Sequence, residues 1–174
     1  VNPLIPDHRY PSLAEIPIEE FAARGFRGAL LDIDNTLIEY GVHDRIPEQN
    51  RDWLRRAEAA GVKCILYSNA TQRKINLLGE VTGLPGVPKV YKPAWKLLGK
   101  ALEIIGCSKD EVLMIGDQCC TDILGGNLAG VTTILVEPLT GRDWVGTKIL
   151  RMIEWFVLPD RRPWAIKRSA RLHR

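Results

Sequence analysis

Four short apolar runs recur along the chain, at residues 28–33, 62–67, 111–116 and 131–136. Each is closed by polar or glycine-containing sequence. Runs of this length, with no polar alternation, suit strands buried on both faces. The segments between them follow a helical period. Residues 47–60 open on Pro47, place Trp53, Leu54 and Ala57 on one face and stop at Gly61, which predicts a helix. Residues 72–79 predict a second helix. Pro93 opens a third, with Leu97, Leu98, Ala101, Leu102 and Ile105 as its apolar stripe. A fourth is expected over residues 121–129, and a short one over 18–24. Strands alternating with helices imply a parallel sheet covered on both faces. The expected fold class is therefore α/β, doubly wound and mostly parallel.

At 174 residues, 45% hydrophobic and 26% charged, the chain has the size and composition of one ordinary globular domain. The expected organisation is an N-terminal extension at 1–27, a core at 28–138 and a C-terminal extension at 139–174. The net charge of +3 is too small to argue for nucleic acid. Cys64, Cys107, Cys119 and Cys120 form no C-x-x-C pair, and His8, His43 and His173 are scattered, which argues against zinc. Without a disulfide-rich pattern the expected compartment is reducing and cytoplasmic. No signal peptide or membrane span is expected, since no run of about 18 apolar residues occurs.

Ligands of open parallel sheets bind beyond the carboxyl ends of the strands. Three of the expected strands end in chemistry-bearing residues. The first runs into Asp32 and Asp34, the second into Ser68 and Asn69, and the third into Gly116 and Asp117, with Asp122 shortly after. Lys92 stands just before the helix opened by Pro93. Carboxylates of this kind suit Mg²⁺, which takes oxygen ligands, waters and phosphate oxygens. A carboxylate such as Asp32 can attack phosphorus to form an aspartyl-phosphate. Lys92 would offset phosphoryl charge, and Ser68 and Asn69 would hydrogen-bond the group. Asp34 would serve as general acid and then base. Each residue also has a structural reading. Asp32, Asp34 and Asp122 suit turns and caps, Ser68 and Asn69 suit turns, and Lys92 suits a solvated surface. Cys119 and Cys120, adjacent to the cluster, suit small buried side chains better than redox chemistry.

Asp32-Ile33-Asp34-Asn35-Thr36-Leu37 resembles the D-x-D-x-T signature of haloacid dehalogenase (HAD)-type phosphatases. Ser68, Lys92, and Gly116-Asp117 with Asp122 match that superfamily's second, third and fourth signatures, in order, across residues 28–136. The resemblance implies a Rossmannoid fold, Asp32 as nucleophile and Asp34 as acid/base. It implies Mg²⁺ held by Asp32, the backbone carbonyl of Asp34, and Asp117. Asp122 would be a supporting carboxylate near Ser68, Lys92 or the metal's water. The stretch Gly116 to Asn127 is closer still to the YqeG-type, subfamily IIIA phosphatases, whose pattern is G-D-Q-x-x-T-D-x-x-G-G-N. Leu4-Ile5-Pro6-Asp7 and the region of Glu154-Trp155 are similar too. That branch is similar to the phosphatidylglycerophosphate phosphatases of mitochondria and plastids.

There is no room for a cap domain between Thr36 and Ser68 or between Asn69 and Lys92 beyond crossover helices. A capless site suits a phosphate on a bulky substrate: a lipid headgroup, a protein side chain or a polynucleotide end. The expected activity is phosphomonoester hydrolysis, with a lipid phosphate such as phosphatidylglycerophosphate as substrate. The alternatives are a protein or nucleotide phosphate, or a non-catalytic phosphate-docking protein. The C-terminal extension joins an apolar run containing Trp144, Ile149, Trp155 and Phe156 to a tail containing Arg161, Arg162, Lys167, Arg168, Arg171 and Arg174. It suits peripheral contact with anionic lipid. It also suits a helix packed on the domain or on another subunit with a solvated tail, or contact of the tail with nucleic acid.

Overall fold

The computed structural model describes residues 2–42, 45–87 and 98–140. Five parallel strands form one sheet: β1 (His8–Tyr10), β2 (Gly28–Leu31), β3 (Lys63–Leu66), β4 (Val112–Gly116) and β5 (Thr132–Val136). Their spatial order is β1-β5-β4-β2-β3. The helices are α1 (Ile18–Ala23), α2 (Glu48–Ala59), α3 (Gln72–Thr82), α4 (Leu98–Ile105) and α5 (Leu124–Ala129).

The inner strands β2 and β4 are buried on both faces because they are apolar at every pleat position. In β2, Ala29 and Leu31 join one core and Leu30 the other. In β4, Leu113 and Ile115 separate from Val112 and Met114 in the same way. The first core gathers α1, α2 and α3 through Phe21, Trp53, Ala57, Ile75 and Leu78. The second gathers α4 through Leu98, Ala101 and Ile105, with Ala129 of α5 packed against it. Trp53 is fully buried, and its indole N–H donates to the carbonyl of Ile16 at 3.0 Å. The largest core side chain thus carries no orphaned polar group.

All four strands expected from the apolar runs are present, with ends within a residue or two of expectation. β1 was not anticipated. It comes from residues 1–27, which the sequence reading set apart as an extension, and it pairs with β5 from His8↔Ile134 to Tyr10↔Val136. Asp7 and Asn127 fix this edge. Asp7 Oδ2 accepts from the Thr133 N–H at 2.8 Å and the Thr133 hydroxyl at 3.0 Å. The Asn127 amide donates to the carbonyls of Pro3 and Ile5 at 2.7 and 2.9 Å. Two stretches that stood out separately in the sequence, Leu4 to Asp7 and the G-G-N ending at Asn127, therefore meet in one structural clasp.

Two helix boundaries differ from expectation. α3 continues through Gly79 to Thr82, and Gly83 ends it at φ 73°, a left-handed cap. Before α5, Cys119–Ile123 form a π-helical turn, so helical winding starts earlier than residue 121. The Ile123 N–H reaches the Gln118 carbonyl at 3.3 Å, which closes the wide turn. The helix opened by Pro93 is described from Leu98 onward. The expected extension at 139–174 lies outside the described residues except for Leu139 and Thr140. No helix among the described residues is long and apolar enough to cross a membrane.

Candidate active site

Register brings the polar strand ends to one edge. Leu31 pairs with Leu66 on one side and Ile115 on the other. The ladder runs one step further: the Asp32 N–H donates to Ile115 at 2.9 Å and the Tyr67 N–H to Leu31 at 2.8 Å. Asp32 therefore emerges between two neighbouring strands that deliver Ser68 and Asp117 one residue further along.

Carboxylate oxygens of Asp32, Asp117 and Asp122 lie within 4.8 Å of one another, and all three residues are buried, at 6%, 3% and 1% exposure. Three carboxyl groups this close and out of water repel one another unless protons or a cation intervene. The donor set, all hard oxygen, fits a Mg²⁺-type ion. Asp122, expected as a supporting carboxylate, lies in the same buried group as Asp32 and Asp117. Two features hold it there. Its Oδ2 accepts from the Gln118 N–H at 3.1 Å. Its carboxylate also lies over Gly116, where an added Cβ would fall 2.2 Å from Asp122 Cγ.

The loop after β2 is tightly built. The N–H groups of Leu37 and Ile38 both donate to Ile33 at 3.0 Å, and the Asn35 N–H donates to Ile38 at 2.8 Å. Asn35 adopts a left-handed φ of 63°, a conformation Asn tolerates better than most residues. Its Oδ1 accepts from the Thr140 hydroxyl at 2.8 Å, and its carbonyl accepts from the Leu139 N–H at 2.9 Å. From the other side, the Asn50 amide, fully buried on α2, donates to the carbonyls of Thr36 and Leu37 at 3.2 and 2.8 Å. Among the described residues, the buried Thr36 hydroxyl has no hydrogen-bond partner.

Asp34 follows on the same loop, partly exposed. Its Oδ1 is 2.5 Å from Nζ of Lys74, in the first turn of α3. Ser68 is buried, and its hydroxyl accepts from the Ala70 N–H at 3.4 Å. Asn69 is exposed. Lys92 lies outside the described residues. Asn35, Asn50 and Lys74 were not singled out in the sequence. Asn35 sits inside the D-x-D-x-T signature, which was a signal within reach. Asn50 and Lys74 carry none, since their partners are distant in the chain. Cys119 is buried against Ile123 and Leu135, which places its side chain in a small apolar cluster.

A family model described as HAD-hydrolase-like matches residues 90–143. Probable phosphatase YqeG of Bacillus subtilis is 32% identical over 154 residues, covering 88% of this chain and 89% of that protein. The chloroplastic phosphatidylglycerophosphate phosphatase 1 of Chlamydomonas reinhardtii is 27% identical over 87% of this chain, which spans 60% of that protein's length. Among solved structures, an uncharacterized protein from Listeria monocytogenes serotype 4b superposes with a TM-score of 0.54 at 17% identity, over 68% of this chain and 85% of that one. That likeness is one of fold.

Proposed function

The chain belongs to the haloacid dehalogenase superfamily as a phosphatase of the YqeG type, and we propose on that premise that it hydrolyses a lipid phosphomonoester through an aspartyl-phosphate on Asp32, with Mg²⁺ as its metal. The observation that carries this reading is the buried cluster of Asp32, Asp117 and Asp122, with Asp34 on the same loop as Asp32.

Asp32, Asp117 and Asp122 would hold the ion, together with the backbone of the loop after β2. Bound Mg²⁺ would supply the positive charge that offsets phosphoryl oxygens in the transition state. The remaining work falls to side chains. A carboxylate oxygen of Asp32 attacks phosphorus, and the bond from phosphorus to the ester oxygen breaks with its electron pair going to that oxygen. The Asp34 carboxyl gives its proton to the departing alkoxide. Asp34, now a carboxylate, takes a proton from a water molecule as that water attacks the phosphoryl group. The bond from phosphorus to the Asp32 oxygen then breaks, releasing inorganic phosphate and restoring Asp32. Asn50 and Thr140 hold the loop so that both carboxyl groups keep their places through the two steps.

Two observations favour a lipid substrate. Among the described residues, α2 and α3 are the helices of the intervals that flank Ser68, with no cap element between them to exclude a bulky headgroup. A relative covering most of the chain is named a phosphatidylglycerophosphate phosphatase. Phosphatidylglycerophosphate is accordingly the substrate we assign, and contact with the lipid surface would bring the site to it.

The test is phosphate release from phosphatidylglycerophosphate in mixed micelles, a phosphopeptide, nucleotides and an aryl phosphate, with and without Mg²⁺. Asp32→Asn serves as the control. Release should need both Mg²⁺ and Asp32, and the lipid should give the highest kcat/KM. Preference for the phosphopeptide or a nucleotide would overturn the lipid assignment. No release from any member of the panel, by folded protein with Mg²⁺, would favour a phosphate-docking role instead.

A further inference from the structure

We infer that Lys74 is a positioning residue for Asp34, fixing the carboxyl group that exchanges protons with the leaving group and with water. The inference rests on the acid/base role given to Asp34 above.

The backbone of Asp34 is set by its bridge to Ile38 and by the Asn35 N–H bond beside it. Its side chain is partly open to solvent. At 29% side-chain exposure it has room to change rotamer, and a carboxyl that wanders by an ångström loses its alignment with the ester oxygen. Lys74 supplies the missing constraint. Its Nζ meets Asp34 Oδ1 at 2.5 Å, and its side chain is only 10% exposed. Surface ion pairs are mobile and contribute little, but an ammonium this enclosed is held on its partner.

The platform under Lys74 is firm. The Thr71 hydroxyl caps α3 by accepting the Lys74 N–H at 3.4 Å, and Ile75 and Leu78 anchor the helix in the core. The contact engages Oδ1, so proton exchange can run through Oδ2. Lys74 is thus distinct from a phosphate-binding lysine, because its ammonium is directed at the acid/base carboxyl.

Leaving groups separate these roles. An alkoxide departs only with a proton, whereas a nitrophenolate departs readily without one. The kcat/KM ratio reports steps up to that departure. It should be measured on an alkyl phosphate and on p-nitrophenyl phosphate for the wild type, Asp34→Asn, Lys74→Met, Lys74→Arg and the Asp34→Asn/Lys74→Met double variant, with melting temperatures as the folding control. Lys74→Met should lose about 10-fold or more on the alkyl ester relative to the aryl ester. Lys74→Arg should recover most of that loss, and the double variant should be no worse than Asp34→Asn.

Equal losses on both esters would overturn the inference and make Lys74 a phosphate or structural residue. So would no loss on either. If Asp34→Asn discriminates between the esters and Lys74→Met does not, only the role of Lys74 fails. If Asp34→Asn itself does not discriminate, the acid/base reading fails and the inference falls with it.

Discussion

The carboxylate of Asp122 occupies the space above Gly116 that any side chain there would fill. An added Cβ would come within 2.2 Å of Asp122 Cγ and Oδ2 and 2.6 Å of its Cβ. The glycine at the end of β4 is thus required by contact. It lets a carboxylate from the following π-helical turn lie back over the strand and reach Asp32 and Asp117.

Gly116→Ala should therefore displace Asp122 from the carboxylate cluster while leaving the sheet intact. Loss of such a precisely held oxygen costs about 10- to 100-fold in metal affinity in comparable sites. Calorimetric titration with Mg²⁺ should show a loss of that order, with far-ultraviolet circular dichroism unchanged. Wild-type affinity in the variant would mean that Asp122 does not depend on this contact.

Asn127→Ala removes both donors that hold the carbonyls of Pro3 and Ile5. The clasp joining the N-terminal segment to α5 should open. A cost of about 1–3 kcal/mol is expected in urea unfolding, since each bond of this kind is worth about 1 kcal/mol net. Limited proteolysis should detect faster cleavage near residues 3–7. An unmoved midpoint with unchanged cleavage would show that β1 holds without the clasp.

Burial pushes the Cys64 thiol up to about 12, with the charge of Glu58 adding to the rise. Unfolded, the thiol titrates near its ordinary value of about 8.5. The folded state therefore keeps the proton over the interval where the unfolded state has lost it. Its contribution to stability is complete below about pH 8.5 and falls as the pH rises toward 12, by about 1.4 kcal/mol per pH unit. Wild type should lose stability above pH 9 more steeply than Cys64→Ala, as denaturant midpoints across pH 8 to 11 would reveal. Parallel curves for the two proteins would refute the assignment to Cys64.

Cys119 and Cys120 flank the site in sequence, yet Cys119 turns into an apolar cluster with Ile123 and Leu135. Replacing both with Ala should leave kcat within about 2-fold of wild type, at a stability cost on the order of 1 kcal/mol. A large fall in kcat with an unchanged melting temperature would give these thiols a role in the chemistry.

The parts legible in the sequence were those whose signal is local. β2 and β4 announce themselves by unbroken apolar runs, and Asp32 and Asp117 by standing directly after them. β1 escaped because three residues, His8–Tyr10, with exposed Arg9 between two half-buried neighbours, have no strand pattern of their own. Their conformation is imposed by pairing with β5, a tertiary effect. The same limit hid Asn50 and Lys74. Asn50 is a polar residue in an amphipathic helix until α2 is laid against the loop at Thr36 and Leu37. Lys74 looks like a solvated lysine until α3 is placed beside the loop carrying Asp34. Gly116 was visible as part of a signature, but its steric reason needed the position of Asp122.

The pairing of β2 on both sides bears on how the molecule breathes. β2 is paired on both sides, with β3 and with β4, and the bond from Asp32 to Ile115 extends that pairing into the loop itself. Amides of a strand paired on both sides exchange with solvent through larger openings than those of the edge strands need. Asp32 follows directly on a strand held from both sides. Small openings of the loops and edges around the site should therefore leave the backbone of Asp32 in place.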